Sequence, residues 1–205
     1  MTIADPTDDH RRVVEALREV GVEVSSVYDL VRADRRYPSA IPVLLRFLSE
    51  NLETNVKEGI VRALTVKEAR GIAGKPLIKE FQRIAGSSPL KWVIGNALEE
   101  AADDSVFEDI VRLVRDKSHG ESRQMLVVAL GNFTNPRATE ALLRLLDDDE
   151  VAGHAIIALG RLRSKEARNR IERFLRHPVP WIRTEAKRAL AKIDKGPQGG
   201  RAGAP

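Results

Sequence analysis

The chain has 205 residues, of which 42% are apolar, 31% are charged and 4% are aromatic, and its net charge is +4. This composition supplies a hydrophobic core and excludes a disordered chain, and the absence of cysteine excludes disulfides, thiolate metal sites and cysteine nucleophiles. No segment approaches the roughly 20 consecutive apolar residues of a membrane span. Because residues 1–9 also lack the apolar run of a signal peptide, we expect a cytoplasmic protein.

The charge is distributed unevenly along the chain. From Arg161 to the end there are 13 basic and 4 acidic residues, a net charge of +9, whereas residues 1–160 carry −5. A basic end can attract an anionic partner. It can equally be the solvated outer face that the last repeat of a repeat protein needs.

Two short helices are predicted at the N-terminus. Thr7 to Val20 has a cap residue, acidic residues in its first turn and an apolar face, and Ser26 to about Ala33 predicts a second helix. We expect residues 1–36 to form a helical cap on the part of the chain that follows.

Five of the Ala-Leu pairs in the chain then recur at nearly regular spacings of 34, 32, 29 and 31 residues. Apolar residues recur three and seven positions before most of these alanines, which is typical of a helix with one buried face. The pairs are Ala63-Leu64, Ala97-Leu98, Ala129-Leu130, Ala158-Leu159 and Ala189-Leu190.

Each of these helices follows another amphipathic segment, and we call the first helix of a pair A and the second B. The A segments are residues 41–47, 75–81, 109–114, 140–145 and 169–174. Ser88-Pro89 and Asn135-Pro136 predict the starts of two helices. The acidic run 147–150 precedes a B helix, where the helix dipole favours negative charge. The pattern predicts an all-helical solenoid of about five pairs over residues 37–194, followed by a disordered Gly/Pro-rich tail, 195–205.

The B helices resemble HEAT repeats, in particular the phycobilisome-lyase type, with the pattern Val-Arg-x-x-Ala-x-x-Ala-Leu-Gly-x-Leu. The best matches are Ile182 to Leu190 and Val151 to Leu162, and the resemblance covers residues 37–194. It implies a right-handed α-solenoid. The family includes chromophore lyases, a metal-dependent hydroxylase, DNA glycosylase relatives and adaptors, so it indicates architecture more than function.

The sequence offers no catalytic constellation. The hydroxylase branch of the family binds iron through His-Glu pairs, and none of the four histidines is followed by glutamate. Ser118-His119 lacks a third partner, the glycines fit no phosphate-binding loop, and His154 lies alone beside the core face. We therefore expect no enzymatic activity, no metal and no cofactor.

One column of residues and one tryptophan are candidates for binding. The column lies six positions before each alanine, and its cations either bond neighbouring repeats as a structural ladder or form an anion-binding stripe. Trp92, one position further on, either anchors a partner or packs over Gly59 or Gly95, and Trp181 is expected to cap the core. The column comprises Lys57, Lys91, Arg123, Ala152 and Arg183.

The leading hypothesis is a non-catalytic scaffold that holds a protein or peptide on the concave surface of the B helices. We expect that surface at the positions one to two and five to six before each alanine. Its candidate residues are Lys57, Lys91, Trp92, Arg123, Arg183, Lys187 and Arg188.

Two alternatives remain open at the sequence level. The first is a bilin-lyase-like subunit, which rests on the resemblance alone. The second is nucleic-acid binding through the basic last repeat, where phosphate contacts would make affinity depend steeply on salt, although interleaved aromatics for base stacking are missing. Its candidate cations are Arg161, Arg163, Lys165, Arg168, Arg170, Arg183, Lys187, Arg188 and Lys192.

Overall fold

The computed structural model describes residues 8–196, and every regular element in that range is helical. Short 3₁₀ turns extend or connect several of the helices. No helix in this range is long and apolar enough to cross a bilayer. The α-helices are α1 Asp8–Glu19, α2 Val27–Val31, α3 Ala40–Leu48, α4 Thr54–Ala63, α5 Gly74–Arg83, α6 Pro89–Ala101, α7 Phe107–Arg115, α8 Gln124–Ala129, α9 Arg137–Leu145, α10 Ala152–Leu162, α11 Arg168–Glu172 and α12 Pro180–Asp194.

The helices form two rows, which confirms the predicted α-solenoid. Along the B row α2 packs on α4, α4 on α6, α6 on α8, α8 on α10 and α10 on α12, and along the A row α1 packs on α3 and α3 on α5. All five predicted pairs are present. Because α1 and α2 continue both rows without a break, they act as a sixth pair, and the division of the chain at residue 37 stays a prediction.

The Ala-Leu pairs lie where neighbouring B helices approach most closely. Each of the five alanines is at most 2% exposed and each leucine at most 8%. A Cβ atom added to Gly131 would lie 2.8 Å from Cα of Ala158, and one added to Gly160 would lie 2.8 Å from Cα of Ala189. The small residues therefore set the distance between α8, α10 and α12.

The predicted turns are formed by the expected residues. The Ser88 side chain accepts a hydrogen bond from the Leu90 amide, and Asn135 Oδ1 accepts one from the Arg137 amide. Gly120 has φ 51° and ψ −139°, a conformation that requires glycine. The cap residue Thr7 and nearly all of the predicted tail, 197–205, lie outside the described residues.

One contact of the B row joins two helices that are not adjacent. Arg161 of α10 donates to Glu99 of α6 (Nη1 to Oε1, 2.7 Å) although α8 lies between these helices. Packed helices lie about 8–10 Å apart, so α6 and α10 would be about 16–20 Å apart in a flat row. The long Arg161 and Glu99 side chains therefore bridge α8, and Asn132 joins them by donating to the Glu99 carbonyl at 2.9 Å.

Candidate functional site: the inner surface of the B helices

The inner surface is formed by the residues five and one positions before each alanine, together with those two or three positions after it. On α6 these residues are Trp92, Asn96, Glu99 and Glu100, none of which is buried. The positions two and six before the alanine face neighbouring helices instead and are buried in most repeats. The sequence pattern predicts all four positions on the surface, whereas the helical geometry exposes only those one and five positions before the alanine.

The cation column therefore lies between the repeats. Lys57 is 7% exposed, and its Nζ donates to Oε1 of Glu80 at 2.7 Å. Since Lys57 belongs to the first predicted repeat and Glu80 to α5 of the next, this ion pair joins two repeats. This contact has the geometry of the structural ladder.

Lys91 is fully buried without a carboxylate on its ammonium group. Its Nζ donates to the Gly86 carbonyl at 2.8 Å, lies 3.0 Å from Nδ1 of His119 and sits 4.7 Å from the centre of the Phe81 ring. Burial lowers the pKa of Lys91. When Lys91 carries its ammonium group it can only donate, so this contact requires the neutral His119 tautomer that accepts at Nδ1 and carries its proton on Nε2. Burial and then the Lys91 charge lower the pKa of His119 below its usual value.

Arg123 is also fully buried and joins the third predicted repeat to the fourth. It donates to the Val114 carbonyl at 3.1 Å, to Asp148 Oδ2 at 2.8 Å and to Glu150. Its hydrogen bond is the largest cause that lowers the pKa of Asp148. The acidic run 147–150, expected to serve the helix dipole, thus provides the carboxylates that neutralise a buried arginine.

The remaining cations of the candidate set lie at the end of the solenoid. Arg183 is half-buried and donates to the His177 and Pro178 carbonyls of its own turn at 2.7 and 2.8 Å. Lys187 and Arg188 are exposed, and Arg188 pairs with Glu185 at 2.6 Å. Of the candidate residues, Lys57, Lys91 and Arg123 are therefore too deeply buried to contact a partner.

Trp92 is the exposed aromatic residue of the candidate set. Its side chain is 41% exposed, and no hydrogen bond links its indole N–H to another described residue. A Cβ atom at Gly59 would meet Val27 and Tyr28, and one at Gly95 would meet Met125. These neighbours fill the spaces that Trp92 was expected to cover.

A second tryptophan reaches the same surface from the end of the row. Trp181 of α12 is 45% exposed, and its ring lies against Gly153 and 5.3 Å from the His154 ring. Gly153 occupies the surface column of Trp92 on α10. Gln124, which donates to the Glu150 carbonyl at 3.3 Å, occupies that column on α8. We call Trp92, Gln124 and Trp181 the tryptophan stripe.

His154 borders this stripe in its neutral form. Burial lowers the pKa of its ring, and its buried Nδ1 makes no hydrogen bond to a described residue. Residues 8–196 contain no group of three or more metal-ligating side chains that could hold a metal ion around it. The ring packs beside Trp181 as an aromatic neighbour.

A cavity of about 690 Å³ opens beside the stripe at the N-terminal end of the inner surface. Val93, Leu30 and Val31 give it an apolar side, and Asn96 and Glu100 face it without a hydrogen bond or ion pair to any described residue. The cavity is large enough to hold side chains of a partner.

Most cations of the basic C-terminal region are paired within the protein. Arg161 binds Glu99, Arg163 the Gly196 carbonyl, and Arg170 and Arg173 both bind Asp147. Arg168 pairs with Glu172 and with Asp194. Among the described residues of this region, the cations without a hydrogen bond or ion pair are Lys165, Arg176, Lys187, Lys192 and Lys195.

Comparison with known proteins agrees with this architecture. The family model of PBS lyase HEAT-like repeats matches residues 122–148, and that of HEAT repeats matches residues 147–199. These matches identify HEAT repeats in residues 122–199, of the PBS lyase HEAT-like type in 122–148. No curated protein matches the chain significantly.

Crystal structures of engineered proteins from the Northeast Structural Genomics Consortium share the fold. One is 18% identical with a TM-score of 0.51, over 93% of this chain and 98% of its own. A second is 18% identical with a TM-score of 0.50, over 93% and 100%. A third is 19% identical with a TM-score of 0.53, over 93% and 59%. At this level of identity the similarity is one of fold alone.

Proposed function

We propose that the protein is a non-catalytic cytoplasmic scaffold that holds a protein or peptide partner on its inner surface, with Trp92 as the main anchor. The exposure of Trp92 carries the proposal, because a large aromatic side chain at 41% exposure leaves apolar area in water. Tryptophan is among the side chains that contribute most binding energy at protein interfaces. HEAT repeats generally act in protein interactions, which supports this assignment.

The tryptophan stripe favours an elongated partner. Trp181 lies over α10, so two helix spacings, about 16–20 Å, separate it from α6 and Trp92. Gln124 provides a polar group between the two rings. A peptide that runs across the B helices would contact both tryptophans and place a side chain in the cavity near Asn96.

The pairing of the C-terminal cations weakens nucleic-acid binding as a function. Arginines bound to Asp147, Glu99 and Asp194 would have to give up these partners to bind phosphate. Near the unpaired cations, the only exposed aromatic ring of a described residue that could stack on a base is Trp181. Nucleic-acid binding is therefore an alternative outcome of the experiment below.

The experiment is affinity capture from a lysate of the native host with the wild type, Trp92→Ala and a matched control, Ile72→Ala. Ile72 is 53% exposed and lies in a turn away from the stripe. We expect a protein that is recovered after nuclease treatment with the wild type and Ile72→Ala and lost with Trp92→Ala. Loss of a central tryptophan costs roughly 2 kcal/mol or more, about thirtyfold in Kd.

The captured protein is then titrated into Trp181→Phe, in which Trp92 is the only tryptophan. Burial of Trp92 at the interface shifts its fluorescence to shorter wavelength. Equal recovery with Trp92→Ala, or an unchanged emission spectrum on binding, contradicts the proposal. Recovery that disappears with nuclease assigns the surface to nucleic acid instead.

A further inference from the structure

The outer surface carries a groove between α3 and α5, the A helices of the first two predicted repeats. Its volume is about 330 Å³, at the lower end of the range for ligand pockets. Leu45, Leu48 and Pro76 form its apolar floor, and Leu45 and Pro76 are partly exposed there. The groove lies on the opposite row from the tryptophan stripe, so it is separate from the proposed inner surface.

The rim of this groove is positively charged. Lys75, Lys79 and Arg83 are all exposed, and the two lysines make no hydrogen bond or ion pair with a described residue. The one carboxylate in the lining, Glu80, is 5% exposed and is bound by Lys57 at 2.7 Å and by Arg83 at 3.3 Å. Asp103 interacts with Lys75 only at longer range. The accessible charge of the groove is therefore positive.

Other cavities lack this charge bias. A groove of about 490 Å³ near α9 is lined by Arg137 and Lys165 but also by Glu140 and Glu166. The inner cavity combines three arginines with four acidic residues. An apolar floor inside an uncompensated basic rim thus distinguishes the groove between α3 and α5 from both.

The basic rim does not extend along the A row. On the flanking helices, Asp9 of α1 pairs with Arg12, and Asp109 of α7 pairs with Arg112. An anionic bilayer would find no continuous basic face, whereas a short chain segment would cover the whole groove. Charge complementarity at this size therefore favours a peptide over a membrane.

We infer that the groove between α3 and α5 binds an acidic peptide segment of a protein partner. An apolar side chain of the peptide lies on Leu45, Leu48 and Pro76, and flanking carboxylates pair with Lys75 and Lys79. Since both lysines are unpaired in the free protein, binding breaks no internal ion pair.

The probe is a short fluorescein-labelled peptide of aspartate and glutamate, with a phenylalanine and a leucine one helical turn apart. Its affinity for the full chain is measured by fluorescence anisotropy. We expect the double variant Lys75→Glu/Lys79→Glu to weaken binding at least about tenfold. The matched control is Lys67→Glu/Lys165→Glu, which makes the same charge change at exposed lysines elsewhere and leaves affinity within about twofold. Circular dichroism verifies that both variants fold.

Three results overturn the inference. Equal loss in both double variants means that only net charge matters. Equal binding of a peptide with alanine in place of phenylalanine and leucine means that the apolar floor has no role. Binding of vesicles containing phosphatidylserine that depends on Lys75 and Lys79 and exceeds peptide binding assigns the groove to a membrane. Trp92→Ala leaves peptide affinity unchanged, which separates this site from the inner surface.

Discussion

Nζ of Lys91 and Nδ1 of His119 lie 3.0 Å apart in the buried junction between the second and third predicted repeats. The corresponding cations of the neighbouring junctions, Lys57 and Arg123, bind carboxylates. At the junction of Lys91, the acceptor is the His119 side chain, which becomes a cation when the pH falls. One junction of the solenoid is therefore sensitive to acid.

This arrangement predicts a pH dependence of stability. The folded-state pKa of His119 is lowered, so its stabilising effect is complete above the ordinary value of about 6.5 and is lost as the pH falls below it. Protonation would place a second cation beside Lys91, near Arg123, and Asp116 offsets it only in part. We expect His119→Gln, which accepts a hydrogen bond but does not titrate, to reduce the fall in Tm between about pH 7.5 and about pH 5.

The fall in Tm should be reduced but not abolished in His119→Gln, because burial also lowers the pKa of His154, which still titrates in this variant. An identical pH dependence in the wild type and His119→Gln would refute the assignment.

Arg123 should be critical for stability and not directly for binding. Removing its charge by Arg123→Met leaves Asp148 without its main partner, and breaking a buried ion pair costs about 3–5 kcal/mol. Urea unfolding measures this loss. Arg137→Met is the control, because the Arg137 pair with Glu108 is more than half exposed on both sides and should cost less than about 1 kcal/mol. Comparable losses in the two variants would contradict the ladder.

The Ala-Leu register can be tested in the centre of the solenoid. Leu159 is fully buried, so Leu159→Ala should lower the free energy of unfolding by about 2–5 kcal/mol. Ala129→Trp should also lower Tm, because a large side chain cannot fit at a position that is 1% exposed. Ile72→Ala, at an exposed residue, should change stability by less than about 0.5 kcal/mol. If Tm is unaffected by both core changes, the register is incorrect.

The contact between Arg161 and Glu99 should appear as a coupling energy across a whole repeat. Their side chains are 31% and 24% exposed, which places the pair between a surface and a buried ion pair. A double-mutant cycle with Arg161→Met and Glu99→Gln should give a coupling of about 0.5–1 kcal/mol. Strict additivity of the two substitutions would show that the pair does not contribute in solution.

The fold was predictable because its signal is local and repeated. The Ala-Leu pairs mark the buried side of each B helix, and Ser88 and Asn135 mark helix starts by their own side-chain chemistry. These features depend on residues a few positions apart. The α1–α2 pair was expected as a cap, because α2, which continues the B row, has no Ala-Leu pair, and the Ala16-Leu17 pair lies in α1 of the A row.

The candidate site was less predictable because it depends on partners from other repeats. The sequence gives no sign that Lys91 meets a histidine, or that Arg123 meets the acidic run 147–150, since neither acceptor shares a repeat with its cation. Trp181 was expected to cap the core. Its place on the inner surface follows from Gly153, the one residue of its column without a side chain to exclude the ring.

The contact between Glu99 and Arg161 has a consequence for how the molecule unfolds. In a simple linear array each unit interacts only with its immediate neighbours, so units can melt one after another from the ends. In this protein Glu99 of α6 binds Arg161 of α10, and Asn132, in the 3₁₀ turn after α8, also contacts Glu99. This contact links two repeats that are not adjacent. The pair should therefore add to the coupling between the second and fourth repeats, and hydrogen exchange should show that Glu99→Gln lowers the free energy of opening in both of them.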